Sequence, residues 1–198
     1  MNTRKKQSSD LCLESPDKST IYLNIPKNAS SFVSDWLVEN GWISRQINST
    51  DPKYVALVLR DPVDRWCSGI AQYLQGISVD VTTLNTATDK ILFDVVNGFD
   101  DHTWSQHLFY EDIFPNRPRI VFHTEKNLQH SLKQYFRLDQ PVTTNHNQST
   151  NNGNQQLVNY FKDRLQDPVL LEKIKRAYHQ DYELMSGMDF VHYPPIGR

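Results

Sequence analysis

Lys27, Asn28, Ala29, Ser30 and Ser31 follow one another directly after Ile25-Pro26. An ammonium, two hydroxyls and a run of backbone N–H groups at the start of a helix suit an anion, above all a phosphate. Further on, Arg60 ends an apolar run and Ser68 lies eight residues later. A guanidinium fork meets a phosphate bidentately, and a hydroxyl adds a donor. A third cluster, Asp100-Asp101-His102, sets an imidazole beside two carboxylates that can fix its tautomer and raise its basicity. Such a histidine suits a general base. His107 is the second candidate in the same stretch. Each cluster also has a plainer reading: a capped turn with a solvated lysine, an arginine paired with Asp61, Asp64 or an acid elsewhere and a serine on the helix surface, and a histidine capping a helix that begins near Thr103.

The first cluster is not a Walker loop. That motif needs G-x-x-x-x-G-K-[ST], and no glycine occurs between Met1 and Asn40. Cys67 has Tyr73 where a cysteine phosphatase needs its arginine, and no HExxH or paired CxxC points to a metal.

The elements that would hold these residues are legible. Ile21–Ile25 is a short apolar strand that Pro26 stops. Asn28 suits an N-cap, Val33, Trp36, Leu37 and Asn40 share a helical face, and Gly41 suits the C-terminal stop. Lys53–Leu59 is apolar on both alternating faces, the pattern of a strand covered on both sides in a parallel sheet. Asp61 and Pro62 then open a second helix with Val63, Trp66, Cys67, Ile70 and Leu74 as its stripe. The strand–turn–helix unit is thus repeated, and ligands of parallel sheets bind outside the carboxyl ends of strands, so Lys27 and Arg60 should share a crevice.

Thr88–Asn97 reads as a helix with Ile91, Leu92, Val95 and Val96 inward, and Arg119–His123 as a third strand. A helix striped by Leu128, Leu132, Tyr135 and Phe136 follows. Trp42–Asp51 is a connection with room for a strand. Thr143–Gln156 is a polar loop, Leu157–Leu165 a helix, and Asp167-Pro168 opens a last helix with Leu171, Ile174, Tyr178, Tyr182 and Met185 inward and Gly187 as its stop. The expectation is a three-layer α/β fold, a central parallel sheet flanked by helices, with residues 1–18 as a loose arm and 19–198 as a single domain.

With 198 residues, 22% charged and a net charge of −2, the chain shows no strong field for nucleic acid or an anionic membrane. No apolar run is long enough to cross a bilayer, and no apolar stretch follows Arg4, Lys5 and Lys6 as a signal peptide would require. Two cysteines, Cys12 and Cys67, form no framework and read as free thiols. The sequon Asn28-Ala29-Ser30 falls inside the anion loop, where a glycan would block it. These features together point to a cytoplasmic protein.

Taken as a pair, IPKNASS (25–31) and LRDPVDRWCSG (59–69) resemble the signature of sulfotransferases that use 3′-phosphoadenosine 5′-phosphosulfate (PAPS). The resemblance is to the carbohydrate branch typified by the chondroitin, dermatan and heparan-type enzymes. Ala29 stands where that family's loop has glycine. Asp101–Gln106 resembles its D-x-H-W-x-P-Q stretch, with Trp104 displaced by one and Ser105 replacing the proline. Thr124–Leu128 resembles the strand-to-helix step, His146–Ser149 the late H-x-N-x-S loop, and Ala177–Leu184 the closing Y-x-x-D-[FY]-x-L helix.

The resemblance implies a P-loop-like sulfotransferase fold. It implies PAPS as donor and 3′,5′-adenosine bisphosphate (PAP) as product, with no metal, because the sulfuryl group carries less charge than a γ-phosphoryl. Lys27 and residues 28–31 would hold the 5′-phosphosulfate, and Arg60 and Ser68 the 3′-phosphate. Asn147 and Ser149 would close over the nucleotide. Lys27 and His102 would be catalytic, the acceptor a small molecule or glycan. A small-molecule or nucleoside kinase and a non-catalytic nucleotide-binding module are the competing readings.

Overall fold

Val55–Leu59 is buried throughout, and the rest of the chain is arranged around it. The computed structural model describes residues 11–96, 98–124, 127–140 and 152–187. Five strands form one mixed sheet: β1 (Leu11–Glu14), β2 (Thr20–Leu23), β3 (Ile43–Gln46), β4 (Tyr54–Leu59) and β5 (Arg119–His123), in the order β3-β1-β2-β4-β5. The β2-β4-β5 core is parallel, with Ile21 opposite Val55 and Ala56 opposite Ile120. This is the pairing expected for the three apolar strands.

The outer strands differ. β1 pairs antiparallel with both β2 and β3. The loose arm expected over residues 1–18 therefore gives way, from Leu11 on, to a strand inside the sheet; residues 1–10 lie outside the described residues. Cys12 is buried there and Leu11 exposed, a period-2 alternation too short to stand out in a polar context.

Alternate residues of the core strands face opposite layers. Tyr22, Ala56, Val58, Ile120 and Phe122 pack against α1 (Ser30–Glu39) and α4 (Leu128–Phe136). Ile21, Leu23, Val55, Leu57 and Leu59 pack against Phe109, Tyr110, Ile113 and Phe114 and against Met185 of α7 (His179–Gly187). A second apolar cluster joins α2 (Pro62–Gly76), α3 (Thr86–Asp94), α5 (Asn152–Arg164) and α6 (Pro168–Ala177) around Trp66 and Phe161. The chain is thus an α/β structure with a mostly parallel core flanked by helices.

Three helices differ from expectation. Asn85 caps α3 by accepting from the N–H groups of Ala87 and Thr88, so this helix starts earlier than Thr88 and ends at Asp94. Leu92, Phe93 and Val96 then point inward, while Ile91 (60% exposed) and Val95 (45%) point out. The polar loop expected to reach Gln156 has already become helix at Asn152. The single last helix is broken at Tyr178 (φ −110°, ψ 23°) into α6 and α7. That break turns Asp181 into the interior, where it is 2% exposed. Among the described residues, no helix is long and apolar enough to cross a membrane.

Candidate functional site

After β2 the chain passes through Ile25 and Pro26 into a turn with two residues in the left-handed region, Lys27 (φ 70°) and Ala29 (φ 57°). Asn28 does not cap α1 as its type predicts. Ala29 occupies the N-cap position and no side chain caps the helix. Asn28 is instead fully buried, and its Nδ2 donates to Val58 O (2.7 Å) and to Gln106 Oε1 (2.6 Å). Its side chain is drawn inward by the neighbouring strand. The first turn of α1, with Ser30 and Ser31, is left without a side-chain acceptor, and successive turn amides of this kind make an anion-binding concavity.

Lys27 and Ala29 line a cleft of about 520 Å³ together with Phe32, Arg60, Asp64, Thr124, Asn127, Leu128 and Gln129. The shared crevice expected from the strand-end rule is therefore present, walled by the residues that follow β2, β4 and β5. Arg60 is not paired with Asp61 or Asp64, as the plainer reading had it. Asp61 Oδ1 accepts from the Asp64 N–H (3.0 Å), capping α2, and its Oδ2 accepts from the Tyr182 hydroxyl (3.1 Å). Asp64 pairs with Lys162 (2.8 Å). Arg60 Nη1 donates to Lys27 O at 3.2 Å. Among the described residues, neither Lys27 nor Arg60 has a carboxylate in ion-pair contact. Burial holds the Lys27 ammonium below the ordinary lysine range, the Arg60 guanidinium adds to this, and the Asp100 carboxylate partly opposes it. A partly desolvated ammonium beside a guanidinium is an arrangement that an incoming anion relieves.

Ser68 lies on α2 one turn beyond Asp64 but is not a lining residue of the cleft. Its neighbour Cys67 is fully buried and its thiol is pushed up by that burial, which removes it as a nucleophile.

The segment from Asp100 to His107 is tied to the Lys27 loop by groups that motif reading did not single out. Arg65, 1% exposed, donates from Nε to Pro26 O (3.0 Å), from Nη2 to Asp101 O (3.2 Å) and from Nη1 to Trp104 O. Gln106, also 1% exposed, grips the backbone of Arg60: its Oε1 accepts from the Arg60 N–H (3.0 Å) and its Nε2 donates to Arg60 O (2.9 Å). Asp181 fixes Gln106 in turn, accepting from the N–H groups of Gln106 (2.8 Å) and His107 (3.0 Å). The only sequence signals for Arg65, Gln106 and Asp181 are their places in the stretches that resemble the sulfotransferase motifs; nothing marks Arg65 as buried, since a buried arginine and a surface arginine look alike in a helix.

No helix begins at Thr103. His102 sits in a turn with its Nδ1 3.0 Å from Asp100 Oδ2 and 3.1 Å from Asp101 Oδ1. These three residues also place ligand atoms within 4.8 Å of one another, which two carboxylates orienting one imidazole produce unaided. The turn lies against α2: a Cβ on Gly69 would meet His102 O at 2.3 Å, so only glycine admits this approach. His102 is about 29% exposed and borders the Lys27 loop through Asp100 rather than lining the cleft itself. His107 is buried, with Nδ1 3.1 Å from Asp181 Oδ1, a bond that raises its basicity. Glu125, Lys126, His146, Asn147 and Ser149 lie outside the described residues.

No protein-family model, curated protein or solved structure matches the chain. The resemblance to sulfotransferases therefore rests on the short motifs alone.

Proposed function

We propose that this chain is a PAPS-dependent sulfotransferase of P-loop-like fold, transferring a sulfuryl group to a hydroxyl of an acceptor, a carbohydrate by the character of the motifs. The observation that carries the reading is the pair Lys27 and Arg60. They are two cations on adjacent parallel strand ends, in one cleft, with the acids beside Arg60 engaged elsewhere. A cleft of about 520 Å³ is of nucleotide size.

In this reading the 5′-phosphosulfate lies over the Lys27–Ser31 turn and the 3′-phosphate meets Arg60, while Ser68, outside the cleft lining, takes no part. The acceptor oxygen forms a bond to sulfur as the bond from sulfur to the phosphate oxygen breaks. Lys27 and the turn amides stabilise charge on that leaving oxygen. The acceptor proton passes to His102 Nε2, while Asp100 and Asp101 hold Nδ1 and stabilise the imidazolium. The free, buried Cys12 and Cys67 fit a cytoplasmic setting.

The test is ligand-induced stabilisation. PAP should raise the melting temperature, with ATP and GTP doing so far less. Arg60→Ala should abolish most of that preference, a charge-assisted contact being worth ~1.5–3 kcal/mol. Equal stabilisation by ATP and PAP would favour a kinase. PAP binding without transfer of labelled sulfate to any of a panel of glycans would leave a binding module.

A further inference from the structure

Among the described residues that line the cleft, the one acid is Asp64, four residues from Arg60 on the first turn of α2. A carboxylate so close in sequence is the natural partner of that guanidinium, and an Arg60–Asp64 pair would compete with any phosphate. The structure diverts it. Lys162 of α5 holds Asp64 at 2.8 Å. α5 is fixed against α2 by the residue before Lys162: Phe161 is fully buried and meets the Trp66 ring edge-on at 5.3 Å between centroids. A packed helix thus carries Lys162 to the rim of the cleft, where the two side chains of the pair stay about half exposed (48% and 39%).

We propose that Lys162 is a specificity-determining residue: by holding the Asp64 carboxylate it keeps Arg60 open to a dianionic phosphate monoester, which makes the cleft selective for a nucleotide carrying a 3′-phosphate. This rests on the nucleotide reading above. With Lys162 paired to Asp64, Arg60 keeps its charge for the occupant of the cleft. Without it, Asp64 cancels that charge at the 3′ end, and the 5′ end at Lys27 is unaffected.

The experiment is calorimetric titration with PAP and with 5′-AMP, which lacks the 3′-phosphate, at low salt. Lys162→Met should weaken PAP by about three- to tenfold, the scale of one partly exposed charge, and leave AMP within twofold. Lys162→Arg should restore PAP binding. The double variant Asp64→Asn/Lys162→Met should also restore it, since no carboxylate remains to compete. That rescue is something a merely structural role of Lys162 would not produce. Unchanged PAP affinity in Lys162→Met overturns the proposal while leaving the nucleotide reading intact, provided that Arg60→Ala still loses PAP. A parallel loss of PAP and AMP overturns it as well, making Lys162 a general surface charge. A wild-type protein that binds neither nucleotide overturns both.

Discussion

Gln106→Leu is the sharpest test of how the two cations are held at a fixed spacing. The Gln106 amide makes three hydrogen bonds: two to the Arg60 backbone, at 3.0 and 2.9 Å, and one from Asn28 Nδ2 at 2.6 Å. Leucine keeps the volume and the burial but none of these bonds. The Arg60 N–H, the Arg60 carbonyl and one Asn28 N–H then lose their partner. At ~1 kcal/mol each, and more for the fully buried Asn28 amide, the loss comes to ~3–4 kcal/mol, of which leucine's greater hydrophobicity returns ~1. The expected destabilisation is therefore ~2–3 kcal/mol, or roughly 4–12 °C in melting temperature for a chain of this size. Urea unfolding followed by tryptophan fluorescence measures it. Gln106→Glu adds a diagnostic. The ionised carboxylate places an oxygen against Arg60 O, so the variant should be unstable at pH 7. The protonated acid, by contrast, has one acceptor and one donor and can reproduce the amide's grip. Burial raises the folded-state pKa of that acid, so stability should be regained as pH falls through it. A Gln106→Leu protein within ~1 kcal/mol of wild type, or a Gln106→Glu protein with no recovery in acid, would refute the claim that this amide organises the cleft.

Further expectations concern chemistry and pH. Lys27→Ala should reduce turnover more than PAP affinity if the ammonium acts on the leaving oxygen; a loss confined to affinity would make it a binding residue only. His102→Ala should lower kcat about 10²–10⁴-fold with PAP binding nearly unchanged, and should remove one ionisation from the pH–rate profile; near-normal turnover would discard this base. His107 is raised above its ordinary value chiefly by its hydrogen bond to Asp181. The stability it contributes is fully present below the unfolded value near 6.5 and is lost as pH rises through the folded one. Melting temperatures across pH 5.5–8.5 should show this decline in the wild type and not in His107→Gln.

Sequence reading was most reliable where one physical requirement dominated. Val55–Leu59 must be buried on both faces because both alternating sets are apolar, and that alone implies a parallel strand with a layer on each side. Asp61-Pro62 marks a helix start because cap and ring serve the same turn. It failed where two local solutions compete. Asn28 is a good cap by type, but Gln106 and Val58 O, distant in sequence, claim its amide. Asn85 and later polar residues could each have started α3, and the choice of Asn85 rotates Ile91 and Val95 outward. The stripe from Leu171 to Met185 reads as one helix because the kink at Tyr178 preserves an inward face for most of its residues. Within the site, the charged groups facing the cleft were legible. The buried Arg65, Gln106 and Asp181 that hold them were not, because their role consists of bonds to backbone groups far along the chain.

Ala29 has a consequence for which substitutions the lineage of this protein can accept. A side chain in the left-handed region (φ 57°, ψ 27°) costs of order 1 kcal/mol, a penalty that glycine escapes and asparagine softens. Valine, isoleucine and threonine, branched at Cβ, are effectively barred. Because Ala29 also lines the cleft, any larger residue intrudes on the space left for an anion. Position 29 is therefore a narrow gate in sequence space, filtered once by the backbone and again by the occupant of the cleft. Variation here should collapse to alanine, glycine and a few small polar residues, while Ser31, exposed two positions on, drifts freely unless its hydroxyl is used.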